Sequence, residues 1–337
     1  MSDSKISSEE YFAEYHGHKL SHLKTALIEL RGCAPQVRRR PIVFLMGDST
    51  LDNKFWLRAC PRMAAGGGYE RFISPPLVVP DVTSCLIAAL SSEMGLSHTV
   101  LNCAVEESTL QGRVVRQVGS SGPPQLTRPH DIFAAQACGA VTGDIMVLSL
   151  GGNDIVLSPS LSTIAALVGT LHCASISALE SGTAWGFNTL IKLFRDDMQT
   201  YINALYNAGA RPSTIIVLFP YLPERAGSLT QSSWADTSLK LLGYDAAPEN
   251  LERVMRAVYK RATCLLQPPP MASQSTRIIP VALFDGVLDS TSGSGDFIAR
   301  VEPSAKGSAK IAHRLAKIIK LIENENVAEE SCTGARR

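Results

Sequence analysis

Five short runs of apolar and β-branched residues punctuate the chain: IVFLM at 42–46, TVLNCA at 99–104, IMVLSL at 145–150, TIIVLF at 214–219 and IIPVALF at 278–284. None alternates polar with apolar residues, so each predicts a strand buried on both faces. Between them lie stretches of helical character, among them DVTSCLIAALSSEMG, PHDIFAAQACGA, FNTLIKLFRDDMQTYINALYNAG and PENLERVMRAVYKRATCLL. Several begin near a proline or an acid and end near a glycine, as helices do. Strands alternating with helices predict an α/β fold, a parallel sheet covered by helices on both faces. A helix over 8–31 is expected before the first strand, and PSAKGSAKIAHRLAKIIKLIENE predicts a basic amphipathic closing helix. Residues 1–325 thus read as one domain, and the tail 326–337 as disordered.

Two long segments, near 155–186 and 221–248, follow the third and fourth predicted strands. In open parallel sheets ligands bind beyond the carboxyl ends of the strands. Both insertions are therefore expected to cover a site.

Composition narrows the partners. The 337 residues, 45% of them hydrophobic, suffice for one large core. A net charge of +1, from 32 basic and 31 acidic residues, gives no field to attract nucleic acid or an anionic membrane. A small, locally recognised ligand is the expected partner, with no stable membrane insertion; oligomeric state is left open. Eight cysteines without C-x-x-C pairs, several in apolar runs such as the one holding Cys103, fit a reducing compartment. The charged start lacks the apolar core of a secretion signal, so a cytoplasmic location is expected. The glycine-rich AAGGGYERF at 64–72 lacks the Gly-Lys-Ser/Thr ending of a phosphate cradle. No cofactor or metal is called for.

Candidate chemistry sits at two strand ends. The first strand runs into Gly47-Asp48-Ser49, and the third into Gly151-Gly152-Asn153-Asp154. Either motif alone is an ordinary turn. In the common strand order 2-1-3-4-5, however, strands one and three are neighbours where the chain reverses direction across the sheet, which brings both motifs to one crevice. An attacking hydroxyl and a carboxamide donor for a developing oxyanion are the requirements of acyl transfer.

The sequence resembles the SGNH, or GDSL, hydrolases: Gly-Asp-Ser after the first strand, a block beginning with Asn102 after the second, Gly-x-Asn-Asp after the third, and a final block before the last helix. The resemblance spans about 41–316. It implies a flavodoxin-like three-layer α/β/α sandwich with a five-stranded parallel sheet, and Ser49 as nucleophile. The oxyanion would be held by the Ser49 N–H, the Asn153 amide and the backbone N–H of the residue at the family's glycine position. Here that position falls on Glu107, or one residue earlier on Glu106. In the last block, ARVEPSAKG aligns Pro303, Ser304 and Gly307, which puts Ala299 where the family has aspartate and Glu302 where it has histidine.

Three readings follow from that change. Glu302 takes the proton itself if burial raises its pKa, with Asp48 or Asp296 as accessory acids. Alternatively His172, in the insertion after Asn153, enters the site. In the third, hydrolysis is lost and Ser49, Asn153, Glu107 and Glu302 form a polar floor for a bound ligand. An Arg300 paired with Glu302 would oppose the first reading. Trp185 and Trp234, one in each insertion, are candidates to line a pocket. The expected function is a serine esterase or acylhydrolase, or an acyl transferase, acting on a small acyl ester; a non-catalytic ligand-binding protein is the alternative.

Overall fold

Strands β1 (Ile42–Gly47), β2 (Thr99–Asn102), β3 (Ile145–Ser149), β4 (Thr214–Phe219) and β5 (Arg277–Ala282) form one parallel sheet, in the order β2-β1-β3-β4-β5. This is a computed structural model, and it describes residues 5–32, 40–95, 98–115, 122–173, 175–227, 232–273 and 276–334. Every residue of β1 to β4 is buried, as continuous apolar runs require. β5 departs from that expectation. It is an edge strand, mostly half-buried, and it carries Pro280, which an edge tolerates.

Helix α1 (Leu20–Arg31) precedes the sheet, α2 (Val82–Met94) joins β1 to β2, and α3 (Pro129–Ala137) joins β2 to β3. In the β3–β4 connection lie α4 (Leu161–Val168) and α5 (Met198–Asn207), followed by α6 (Pro248–Arg261) before β5 and α7 (Ala305–Gly334) after it. The sequence marks these boundaries chemically. The Asp81 side chain caps α2 by accepting the Ser84 N–H at 2.8 Å, and Gly95 ends it at a φ of 57°. Chain direction across the sheet reverses after β2, so α2 and α7 pack together on one face while α3 and α5 pack together on the other. The result is the three-layer, flavodoxin-like α/β/α sandwich.

One expectation about the ends needs correction. The predicted leading helix is broken, with a single turn at Ser8–Tyr11 separated from α1. Gly17, at a φ of 79°, turns the intervening chain inward, and its N–H donates to Asp52 at 2.8 Å. At the other end α7 continues to Gly334, into the stretch expected as a tail, and residues 335–337 lie outside the described residues.

Register levels the sheet where it matters. Gly47 lies opposite Ser149, and Ser149 opposite Leu218, so β1, β3 and β4 finish side by side. Segments following β3 and β4 rise from this edge, with α4, the turn Phe187–Ile191 and the short helix Asp236–Leu241 above it. Among the described residues no helix is long and apolar enough to cross a membrane.

Candidate active site

β1 stops at a residue that has to be glycine. A Cβ on Gly47 would lie 2.2 Å from the Ser149 carbonyl oxygen, so any side chain would push β1 away from β3. The Gly47 carbonyl is gripped in turn by the Val105 N–H at 2.8 Å, the Ser108 hydroxyl at 3.1 Å and the Arg113 guanidinium at 2.5 Å. Arg113 is fully buried and paired with Asp131. The turn that follows is drawn tight by the Asp48 carbonyl, which accepts the N–H groups of Leu51 and Asp52 at 3.0 and 2.9 Å. Ser49 is presented from this turn into a cavity.

The rest of the polar run is buried, although a run rich in charge usually faces water. Asp52, Asn53 and Lys54 are all inaccessible. Asp52 pairs with Lys54 and accepts the Glu106 N–H at 2.9 Å. Asn53 bridges three segments. It donates to the Pro303 carbonyl at 3.0 Å and the Ser308 hydroxyl at 2.6 Å, and accepts the Val82 N–H at 3.3 Å.

After β2, Asn102 donates to the Leu51 carbonyl at 2.8 Å and buttresses the Ser49 turn. Glu107 has a φ of 59°, the left-handed conformation a glycine adopts without strain, which singles it out over Glu106 as the occupant of the glycine position. Its carboxylate faces solvent and accepts the Tyr15 hydroxyl at 3.0 Å. Among the described residues no hydrogen bond takes the N–H of Ser49 or of Glu107. The block after β3 secures this loop. Asn153 donates one amide N–H to the Ser108 carbonyl at 3.1 Å, and Asp154 accepts the Leu110 and Gln111 N–H groups at 2.7 and 3.0 Å. An amide nitrogen carries two protons, so Asn153 retains a second for the cavity it lines.

Glu302 arrives on a small antiparallel hairpin, Phe297–Ile298 against Glu302–Pro303. Ala299 and Arg300 turn it at φ values of 48° and 67°. With Glu107, these are the non-glycine residues of positive φ among those described, and each such residue costs roughly 1–2 kcal/mol. Arg300 does not touch Glu302. Its guanidinium pairs with Asp236 at 2.9 Å and with Asp245, and donates to the Glu224 carbonyl at 3.0 Å. The Tyr221 hydroxyl holds the Val301 carbonyl at 2.5 Å. Glu302 itself is 1% exposed, lines the same cavity as Ser49 and Asn153, and has one oxygen, Oε2, without a hydrogen-bond partner. Burial pushes its pKa up to about 8, against the pull of the Ser49 hydroxyl and the Trp234 indole, which favour the ionised form. The Asp48 and Glu107 carboxylates push it further up.

Other candidates fare differently. Asp48 lines the cavity, and burial raises its pKa to about 6. Asp296 is committed elsewhere: it binds Lys310 and the Asp289 N–H, the latter at 2.8 Å, and lies 3.4 Å from Lys306. It serves the base of α7 rather than Glu302. The side chain of His172 lies outside the described residues. Trp234 lines the cavity; Trp185, 69% exposed, does not.

Sequence reasoning missed the buried partners Asn53, Arg113 and Tyr221, and assigned Glu106 no role of its own. Glu106 accepts the Trp56 indole N–H at 3.2 Å, and burial, reinforced by the nearby Glu302 carboxyl, pushes its pKa up to about 10. Among the described residues no cluster of three or more His, Cys, Asp or Glu side chains is arranged to hold a metal.

No protein-family model matches the chain, and none of the curated proteins is detectably similar to it. Solved structures give distant likenesses. A carbohydrate acetylesterase from Sinorhizobium meliloti is 12% identical, over 84% of this chain and 100% of its own, with a TM-score of 0.39. An aryl esterase from M. smegmatis, with inhibitor bound, is 12% identical over 83% of this chain and 98% of its own, with a TM-score of 0.40. A lipase/acylhydrolase from Enterococcus faecalis is 11% identical over 83% and 95%, with a TM-score of 0.38. Likenesses this distant decide neither fold nor activity. The fold is read from the sheet order, and the site from its own residues.

Proposed function

We propose that the chain is a serine ester hydrolase in which Glu302 stands in for histidine as the base. The observation that carries this reading is the shared cavity: Glu302, buried and with an unpartnered oxygen, lines the same cavity as Ser49 and Asn153, close enough for the Ser49 hydroxyl to bear on its pKa. The Ser49 oxygen attacks the ester carbonyl carbon as its proton passes to the Glu302 carboxylate. The negative charge gathering on the carbonyl oxygen is met by the Ser49 and Glu107 N–H groups and the second amide N–H of Asn153. When the tetrahedral intermediate collapses, the C–O bond to the alcohol breaks, and Glu302 returns its proton to the leaving oxygen. Water, deprotonated by Glu302, then releases the acid from Ser49; a second alcohol in place of water would make the reaction acyl transfer.

Ligand binding without turnover is the competing reading, favoured by one observation. With a pKa raised to about 8, most Glu302 is protonated at neutral pH and cannot accept a proton. Hydrolysis of p-nitrophenyl butyrate at pH 8.5 separates the two. The hydrolase reading expects turnover that falls about 10²–10⁴-fold in Glu302→Gln and at least as far in Ser49→Ala. Turnover unaffected by Ser49→Ala would overturn it.

A further inference from the structure

The cavity beyond Ser49 is polar at one end only. Asp48, Ser49, Thr50, Ser149, Asn153 and Glu302 form its floor. Tyr221 and Trp234 also direct their polar atoms to that end, toward Val301 and Glu302. Everything farther in is hydrocarbon. Leu167 of α4, Leu190 and Phe194 below it, Leu242, and Val254 and Val258 of α6 wall the space, each less than a tenth exposed. Among the described residues no charged side chain lines it apart from Asp48 and Glu302. A sugar placed there would lose its water and find no donors or acceptors in exchange, at a cost of a few kcal/mol per hydroxyl. A hydrocarbon chain gains from the same walls.

On the far side of the Ser49 turn the surroundings change. Tyr15, His16 and Glu107 line no part of the cavity and are half-exposed or exposed, while Tyr15 still feels the charge of Glu302. That side suits a polar alcohol departing to water. The two sides of the Ser49 turn thus sort the halves of an ester, with hydrocarbon inward and alcohol outward.

Building on the hydrolase reading, we propose that the substrate is an ester of an aliphatic acid of medium chain length or longer, its carbonyl at Ser49 and its chain lying between α4 and α6. The insertions contribute Leu167 and Leu242 to the wall of that chain, α6 contributes Val254 and Val258, and the stretch before α5 contributes Leu190 and Phe194.

The test varies the acyl chain while the alcohol stays constant, using p-nitrophenyl acetate, butyrate, octanoate and dodecanoate. Each buried methylene is worth roughly fourfold in binding, so kcat/KM should rise at least 100-fold from acetate to octanoate. Val156→Trp, which fills the cavity from a half-exposed position, should cut the octanoate-to-acetate ratio at least tenfold. Ser49-dependent hydrolysis that is as efficient on acetate as on octanoate would overturn the chain-binding inference and leave the hydrolase reading standing. Should no ester be turned over, the hydrolase reading fails alone, and binding of dansylundecanoic acid to Ser49→Ala decides the pocket. Saturable binding that Val156→Trp weakens supports the inference; no binding overturns it.

Discussion

At the residue scale, a carboxylate acting as the base in place of histidine, as proposed for Glu302, would leave a mark on the pH dependence. Glu302 is a base only when ionised, and burial raises its pKa to about 8. Well below that value the ionised fraction falls tenfold per pH unit, so kcat/KM should climb about ninefold from pH 6 to 7, about fivefold more from 7 to 8, and less than twofold above that. A histidine base would level near its ordinary value of about 6.5. Steady-state kinetics across pH 5.5 to 9.5 distinguishes them, and a plateau already reached at pH 7 would exclude Glu302. Of these side chains, Ser49, Asn153 and Glu302 were legible in the sequence because each ends a recognisable strand or block. Asn53 and Arg113 were not. A polar run such as Asp52-Asn53-Lys54 has the composition of a solvated turn, and only the packing of α7 and the Glu107 loop over it makes it interior.

At the element scale, the site depends on how three loops are tied together. Asn53 joins the Ser49 turn to Pro303, next to Glu302, and to Ser308 in α7. Asn53→Ala leaves the Pro303 carbonyl and the Val82 N–H without their partner in a buried place, so a loss of about 1–3 kcal/mol is expected in urea denaturation. The Glu302 hairpin would also loosen relative to Ser49, lowering kcat more than it raises KM. A variant with wild-type stability and kcat would remove Asn53 from the account. The element pattern was otherwise readable from periodicity, as α2 illustrates with Asp81 at its start and Gly95 at its end. The failure at 8–31 is equally physical. The helical period continues through Gly17, yet the hydrogen bond from its N–H to buried Asp52 draws the chain inward. A contact made with a residue so far along the chain leaves no trace in local sequence.

At the scale of the whole molecule, the sheet was legible because its strands are continuous apolar runs, and their order follows from placing both motifs at one switch point. A covered crevice was expected from the sequence, but its hydrocarbon lining was not legible, since leucines and valines have the same spacing whether they close on a core or on a hollow. Burying several carboxyls around Ser49 also has a global consequence. In the folded protein Glu106 keeps its proton up to about pH 10, whereas in the unfolded chain it ionises near its ordinary 4.5. A folded-state pKa that is raised stabilises fully below the unfolded value and progressively less as pH rises toward the folded one. Tm should therefore fall between pH 5 and 9, and Glu106→Gln, which cannot ionise, should flatten that decline in differential scanning calorimetry. An unchanged slope would mean that Glu106 is ionised in the fold.

Whether Glu302 activates Ser49 is the central claim, and it is tested most directly by reacting the folded protein with an alkyl fluorophosphonate across a pH series and reading intact mass. A single adduct is expected, absent in Ser49→Ala, forming at a rate that rises with an apparent pKa near 8 and collapses in Glu302→Gln. Labelling of Ser49 that is indifferent to Glu302→Gln, or no labelling at any pH, would contradict it.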